Sequence, residues 1–357
     1  MRGTEPDAGR GPVGPRVVHV VLPGDIDDPG TPSGGNHYDR RVLSGLTAAG
    51  WTVREHALAG GWPHPDEPAR SALDRVLAGL PVGGVVLLDG LVASTVPAVL
   101  AAHADRLRLV VLVHMPLHDD AEARALATAA AVVTTSGWTR RELLDRYALP
   151  ADRVRVARPG VDPAPPATGS DTGSALLCVA ALAPHKGQDV LVEALAALDD
   201  DGWSCTLVGS LTVDAGFVDR VRALIRAHRL DARIHLVGPR TAGGLAAAYA
   251  AADLLVLPSH AETYGMVVTE ALARGLPVLA SSVGGVPEAL GETADGQRPG
   301  LLVPAGQPAA LAEALRRWLD DDTLRTRLRQ AAHRRRDTLT DWSHPSAVIA
   351  QVLEEAT

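Results

Sequence analysis

Cysteine, lysine and long apolar runs are what this 357-residue sequence has least of. Only Cys178 and Cys205 occur, both inside apolar runs rather than at loop ends. That excludes a disulfide scaffold and a four-cysteine zinc site, and a reducing, cytoplasmic compartment is expected. No apolar stretch reaches the roughly 18 residues that cross a bilayer. Basic residues number 34 against 42 acidic ones, for a formal net charge of −8. This balance argues against a general nucleic-acid binder, because neutralising phosphates needs the opposite excess. Among the 34 basic residues stands a single lysine, Lys186. The preference for arginine, with abundant Ala, Gly and Pro, suggests a GC-rich coding bias, and a lysine kept against such a bias draws attention to itself.

Apolar material, by contrast, is ample: 46% of a chain more than twice as long as a typical domain of roughly 150 residues. Two packed cores are expected. Residues 1–15, rich in Gly, Pro and Arg, lack the apolar centre of a signal peptide and read as a loose tail. From Arg16 onward, short β-branched runs (Arg16–Leu22, Val85–Leu88, Leu109–Val113, Ala131–Thr134) alternate with helical spacing. The alternation breaks in the Pro-, Gly- and Ser-rich stretch Pro163–Gly173 and restarts at Ala175. The expected fold class is α/β, with two doubly wound, Rossmann-like domains over 16–162 and 174–340 joined by a linker over 163–173. Residues 341–357 form a C-terminal helical segment that is free to cross back to the first domain. Ligands of such sheets bind beyond the carboxyl ends of the strands, here in the cleft between the domains.

Several residues at such ends could carry chemistry. Ser259-His260-Ala261-Glu262-Thr263-Tyr264-Gly265 follows the strand Leu254–Leu257, with Glu262 in the loop and Glu270 in the helix beyond. One carboxylate could hold sugar hydroxyls while the other accepts hydrogen bonds from a ribose. The alternative is that Glu262 caps the helix and Glu270 is a solvated surface residue. Lys186 lies in a strand–helix turn, where a cation can neutralise charge on a departing phosphate or serve as a surface charge only. Gly34 and Gly35 open the first helix, where a bare backbone can approach an anion or simply turn. His114 ends a strand, and Pro116 keeps it off a common helical face with His118, which argues against paired metal ligands. Other candidates read as structural. Asp25-Ile26-Asp27 sits in a turn, Thr139 with Glu142 reads as a capping box, and Tyr249 reads as core packing. The arginine-rich run 325–336 reads as a solvated helix, with anionic lipid contact left open. Peripheral membrane contact has no support from the first domain, where residues 16–162 hold 15 Arg against 17 acidic residues, a net of −2.

Glu262-x7-Glu270, then Ala271-Leu272-Ala273-Arg274-Gly275-Leu276-Pro277-Val278 and Gly284-Gly285-Val286-Pro287-Glu288, resembles the retaining glycosyltransferases of family 4, whose fold is termed GT-B. Gly34-Gly35, Pro159-Gly160-Val161-Asp162 and Leu301-Leu302-Val303-Pro304 extend the resemblance over nearly the whole chain from Arg16. The resemblance implies transfer of a hexose, with retention, from a UDP- or GDP-linked sugar to an unidentified acceptor: a lipid, a glycan or a small metabolite. It implies no metal and no other cofactor. Glu270 would bind the donor ribose and Glu262 the donor sugar. Lys186 would meet the diphosphate, with Gly34 and Gly35 closing over it. Backbone at Thr263, Tyr264, Gly265 and Met266 would reach the donor, and His114 would contact its sugar from the first domain. The family pairs its lysine with an arginine five positions earlier, where this chain has Ala181. Arg240 or Arg158 is the expected substitute. If neither serves, leaving-group stabilisation is weaker; the alternative reading, which Ala181 favours, is a non-catalytic nucleotide-sugar-binding or scaffold protein of the same fold.

Overall fold

Runs of valine and leucine become strands here because branched side chains fit a pleated surface that is buried on both faces. In the computed structural model, which describes residues 16–356 other than 29, 31, 32, 171, 200, 201 and 241, two such sheets form. The expected tail, 1–15, lies outside the described residues. The first sheet contains β1 (Val17–Pro23), β2 (Thr52–Leu58), β3 (Val85–Asp89), β4 (Arg108–Val113), β5 (Ala131–Thr134) and β6 (Val154–Val156), in the order β2-β1-β3-β4-β5-β6. The second contains β7 (Ala175–Val179), β8 (Ser204–Val208), β9 (Ile234–Leu236), β10 (Leu254–Leu257), β11 (Val278–Ser281) and β12 (Gly300–Val303), in the order β12-β11-β10-β7-β8-β9. Every pairing is parallel. Strand order reverses between β1 and β3 in one sheet and between β7 and β10 in the other, and such switch points open a crevice for ligands. This is the GT-B architecture of two Rossmann-like units.

Three strands were not expected from the sequence, β2, β6 and β12, and all three are sheet edges. Thr52–Leu58 (TVREHAL) is mostly exposed and β6 is only three residues long, so neither shows an apolar run. Helix Gly137–Tyr147 begins before Thr139, and its cap is Ser136, which accepts from the Thr139 amide at 3.0 Å. The capping box expected at Thr139 and Glu142 is therefore displaced by three residues. The Pro-rich stretch near 163–173 is strapped to the second domain: Ala167 N donates to Arg274 O at 2.8 Å and Ser170 N to Asp253 Oδ1 at 3.0 Å.

The last helix, Ser343–Glu355, carries Pro345 in its first turn, where no amide is needed. It places Ile349, Val352 and Leu353 in the first domain's core with Val18, Val20, Tyr38, Val42 and Leu46. The arginines before it are largely consumed internally. Arg325 bonds Trp318 O, Arg329 bonds Asp253, Arg335 bonds Leu290 O, and Arg336 bonds Ala164 O. That leaves little of the run for a lipid surface. Among the described residues no helix is long and apolar enough to cross a membrane.

Candidate functional site

Because β7 and β10 are neighbours, the loops leaving their carboxyl ends run side by side. His260 N donates to His185 O at 2.8 Å, and Lys186 Nζ donates to Glu262 Oε1 at 2.7 Å. Ser259 Oγ reaches the same carboxylate oxygen at 2.9 Å. Oε2 of Glu262 has no bond among the described residues and stays open to a ligand. The pair is sheltered, with side-chain exposures of 22% for Lys186 and 10% for Glu262. Two glycines set the Glu262 backbone in place. Gly284, at φ +52°, lies against Glu262 O, where any side chain would collide, and Gly285 N donates to that carbonyl at 3.1 Å. Gly285 likewise has no room for a Cβ beside Thr263 O. The double glycine was legible as a motif, whereas its purpose, a close backbone approach under Glu262 and Thr263, is visible only in three dimensions.

Gly265, at φ +90°, turns the chain into helix Met266–Leu272 without a side-chain cap, and Tyr264 is buried beneath the loop. Glu270 is half-buried rather than a solvated surface residue. Tyr249 Oη donates to its Oε2 at 2.9 Å, and Arg274 Nη1 donates to its carbonyl at 2.7 Å. Tyr249, which the sequence assigns to packing alone, thus also holds Glu270. The only available signal was that a lone tyrosine stood in a run of alanines.

In the first domain, Ser33 Oγ caps helix Gly34–Ala48 through the Asn36 amide. A Cβ on Gly35 would rest 3.5 Å from the His114 ring, and one on Gly34 would rest 3.4 Å from Met266 Sδ of the second domain. The glycine loop therefore lies between His114 and the far wall of the cleft. His114 Nε2 meets Asp39 Oδ1 at 2.8 Å and Asp89 Oδ2 at 3.8 Å. Burial alone would lower the imidazole, but the charge and hydrogen bond of Asp39, with Asp89 beyond, hold it up at about 9. Burial and then Asp39 push Asp89 up to about 7, against the opposing pull of His114. The arrangement is one imidazolium shared by two buried carboxyl groups. These three also have donor atoms within 4.8 Å of one another, the spacing a metal ion would need. Asp39 and Asp89 were not found from sequence because they lie on other elements than His114.

The two expected substitutes for the missing arginine differ. Arg158 is engaged by Glu288, whose carboxylate also accepts from the Gly137 amide at 2.9 Å and the Trp138 amide at 3.3 Å. It is thus committed to the joint between the domains. Arg240 is exposed, packs its stem on Gly244, and has no polar partner among the described residues. Asp27 of the Asp25-Ile26-Asp27 turn is paired with Arg40 at 2.6 Å, as suits a structural turn.

Comparison with known proteins gives two family matches, to Glycosyl transferases group 1 over residues 165–335 and to Glycosyltransferase Family 4 over residues 79–165. The chain is 32% identical over 234 residues to the D-inositol 3-phosphate glycosyltransferase of Corynebacterium glutamicum, covering 60% of this chain and 55% of that protein. It is 34% identical over 245 residues to the enzyme of the same name from Pseudarthrobacter chlorophenolicus, covering 64% and 57%. The match thus spans between half and three fifths of the length of these relatives. Among solved structures, a Rickettsia africae glycosyltransferase superposes with a TM-score of 0.77 at 17% identity, covering 96% of this chain and 99% of that one. The sucrose-phosphate synthase of Thermosynechococcus elongatus gives 0.76 at 23%, covering 95% and 98%. Anabaena HepE, solved with UDP and glucose, gives 0.73 at 19%, covering 95% and 99%.

Proposed function

The chain belongs to glycosyltransferase family 4, and on that premise we propose that it transfers a hexose, with retention at the anomeric carbon, from a nucleoside-diphosphate sugar to an acceptor hydroxyl. The observation that carries the reading is the Lys186–Glu262 pair, two residues far apart in sequence brought to 2.7 Å at the carboxyl ends of neighbouring strands. An ammonium has three donors. One bond to Glu262 leaves Lys186 two for the oxygens of a departing diphosphate, where added charge in the transition state makes each bond count for more. Glu262 Oε2 then accepts from hydroxyls of the donor sugar, and Glu270 accepts from the ribose. Backbone amides of Thr263, Tyr264, Gly265 and Met266 reach the diphosphate, with Gly34 and Gly35 closing from the opposite wall. His114 contacts the sugar from the first domain. Arg240 is the remaining cation for the phosphates, since Arg158 is held by Glu288. No step in this scheme calls for a metal or a covalent enzyme intermediate; the leaving phosphate itself accepts the acceptor's proton. Closure of the cleft excludes water.

The HepE structure, which contains UDP, makes uridine donors the first to test, with guanosine donors beside them. The names of the sequence relatives make D-inositol 3-phosphate the first acceptor to try, ahead of glycans and lipids. The decisive experiment incubates the purified chain with each labelled donor and acceptor, in chelator, and follows nucleotide release and the anomeric configuration of the product. Nucleotide release with net retention is expected. Donor binding without release, across all acceptors, would favour the scaffold reading that Ala181 invites.

A further inference from the structure

We propose that Tyr249, its ring covered by Arg274, is a positioning residue for donor recognition: it fixes the Glu270 side chain as an acceptor for the ribose hydroxyls. This deepens the reading of Glu270 given above and rests on it. A glutamate on a short helix has three side-chain torsions to restrain before both of its oxygens can face a vicinal diol. Tyr249 restrains them from below. Its ring is fully buried in helix Ala242–Ala251, and its hydroxyl donates to Glu270 Oε2 at 2.9 Å. Arg274 closes the arrangement, with its guanidinium carbon 4.5 Å from the Tyr249 ring centroid and its Nη1 2.7 Å from the Glu270 carbonyl. Burial, and then the charge of Glu270, push the phenol well above its ordinary value, so it remains a proton donor at any working pH. Oε1 of Glu270 has no partner among the described residues, and each carboxylate oxygen can accept more than one bond. The buried hydroxyl thus occupies one acceptor position and leaves the others for the sugar. A tyrosine needed for packing alone would not require its oxygen at this point.

The test measures binding of UDP, with GDP in parallel, and of the corresponding dideoxy nucleotide lacking both ribose hydroxyls. Calorimetry is performed on the full chain, on E270Q and on Y249F. The unaltered protein should prefer the ribonucleotide strongly, and E270Q should remove most of that preference. Y249F should reduce it about tenfold, the loss expected for one hydrogen bond to a charged group, while leaving affinity for the dideoxy nucleotide within about twofold. In turnover the same variant should raise the donor KM and leave kcat near its original value. Equal weakening of both nucleotides by Y249F, or no change, overturns the proposal while the Glu270 reading stands, provided E270Q has lost the preference. If E270Q keeps the preference, the ribose reading itself falls and takes the proposal with it. Should Y249F fail to fold, Arg274→Met decides: a smaller but selective loss of ribonucleotide affinity supports the arrangement, and full retention of the preference overturns it.

Discussion

In the second domain, each of the two carboxylates proposed to meet the sugar donor is matched by a hydrogen-bond donor of its own: Glu262 by Lys186 and Ser259, and Glu270 by Tyr249. In the first domain, two carboxyl groups, Asp39 and Asp89, divide one imidazole, and Asp39 Oδ2 is buried without a partner among the described residues. The first arrangement is complete before any ligand arrives. The second depends on where its protons sit. An orphaned buried carboxylate oxygen is costly unless charge nearby compensates it, so His114 is held as a cation by need as well as by geometry. The contrast teaches that the two walls of the cleft are prepared differently: one by pairing, the other by protonation.

The largest effect should come from breaking the paired wall. Lys186→Ala should lower kcat about a hundredfold or more, the usual loss for one group aimed at developing charge, with a smaller change in donor KM. Steady-state kinetics with a saturating donor checks this, and an unchanged kcat would move leaving-group stabilisation to Arg240.

Next comes the protonated wall. The folded pKa of His114, about 9, is raised above its ordinary value of 6.5, so its stabilising contribution is complete below pH 6.5 and is lost as pH rises through 9. Asp89 is raised from 3.8 to about 7, so it too favours folding at low pH and loses that contribution between pH 3.8 and 7. Melting temperature should therefore decline from about pH 4 to 7 through Asp89 and from about pH 6.5 to 9 through His114. In Asp39→Asn the decline should flatten, and the basic limb of the activity profile should move to lower pH. A variant whose pH dependence overlays that of the unaltered chain would refute the charge assignment.

The smallest effect belongs to the joint between the two walls. Glu288→Gln keeps an acceptor for the Gly137 and Trp138 amides but removes the charge that holds Arg158. A loss of about 1 kcal/mol, the scale of a helix cap, is expected in denaturant unfolding, with a modest change in kcat.

How much of this was readable beforehand follows a physical rule. Strands buried on both faces announced themselves as valine and leucine runs, whereas the edge strands β2 and β6 did not, because one side of an edge faces solvent. Lys186, Glu262, Glu270, Gly34, Gly35 and His114 could be picked out because each sits just beyond a strand or inside a spaced motif. Their partners could not. Tyr249, Asp39 and Asp89 are brought in by sheet order and helix packing, and nothing in their local sequence distinguishes them from core residues. The arginine run shows the converse error, since a stretch that looked solvated proves to be largely spent on carbonyls and carboxylates.

The lone lysine has a practical consequence. Apart from the terminal amine, the protein offers amine chemistry a single side-chain address, and it lies in the cleft, bonded to Glu262. Acylation at that nitrogen therefore reports on one location, and shielding by a bound nucleotide can be read directly by mass spectrometry. The same scarcity spares the surface, so apart from the terminal amine an amine reagent leaves the rest of the molecule untouched.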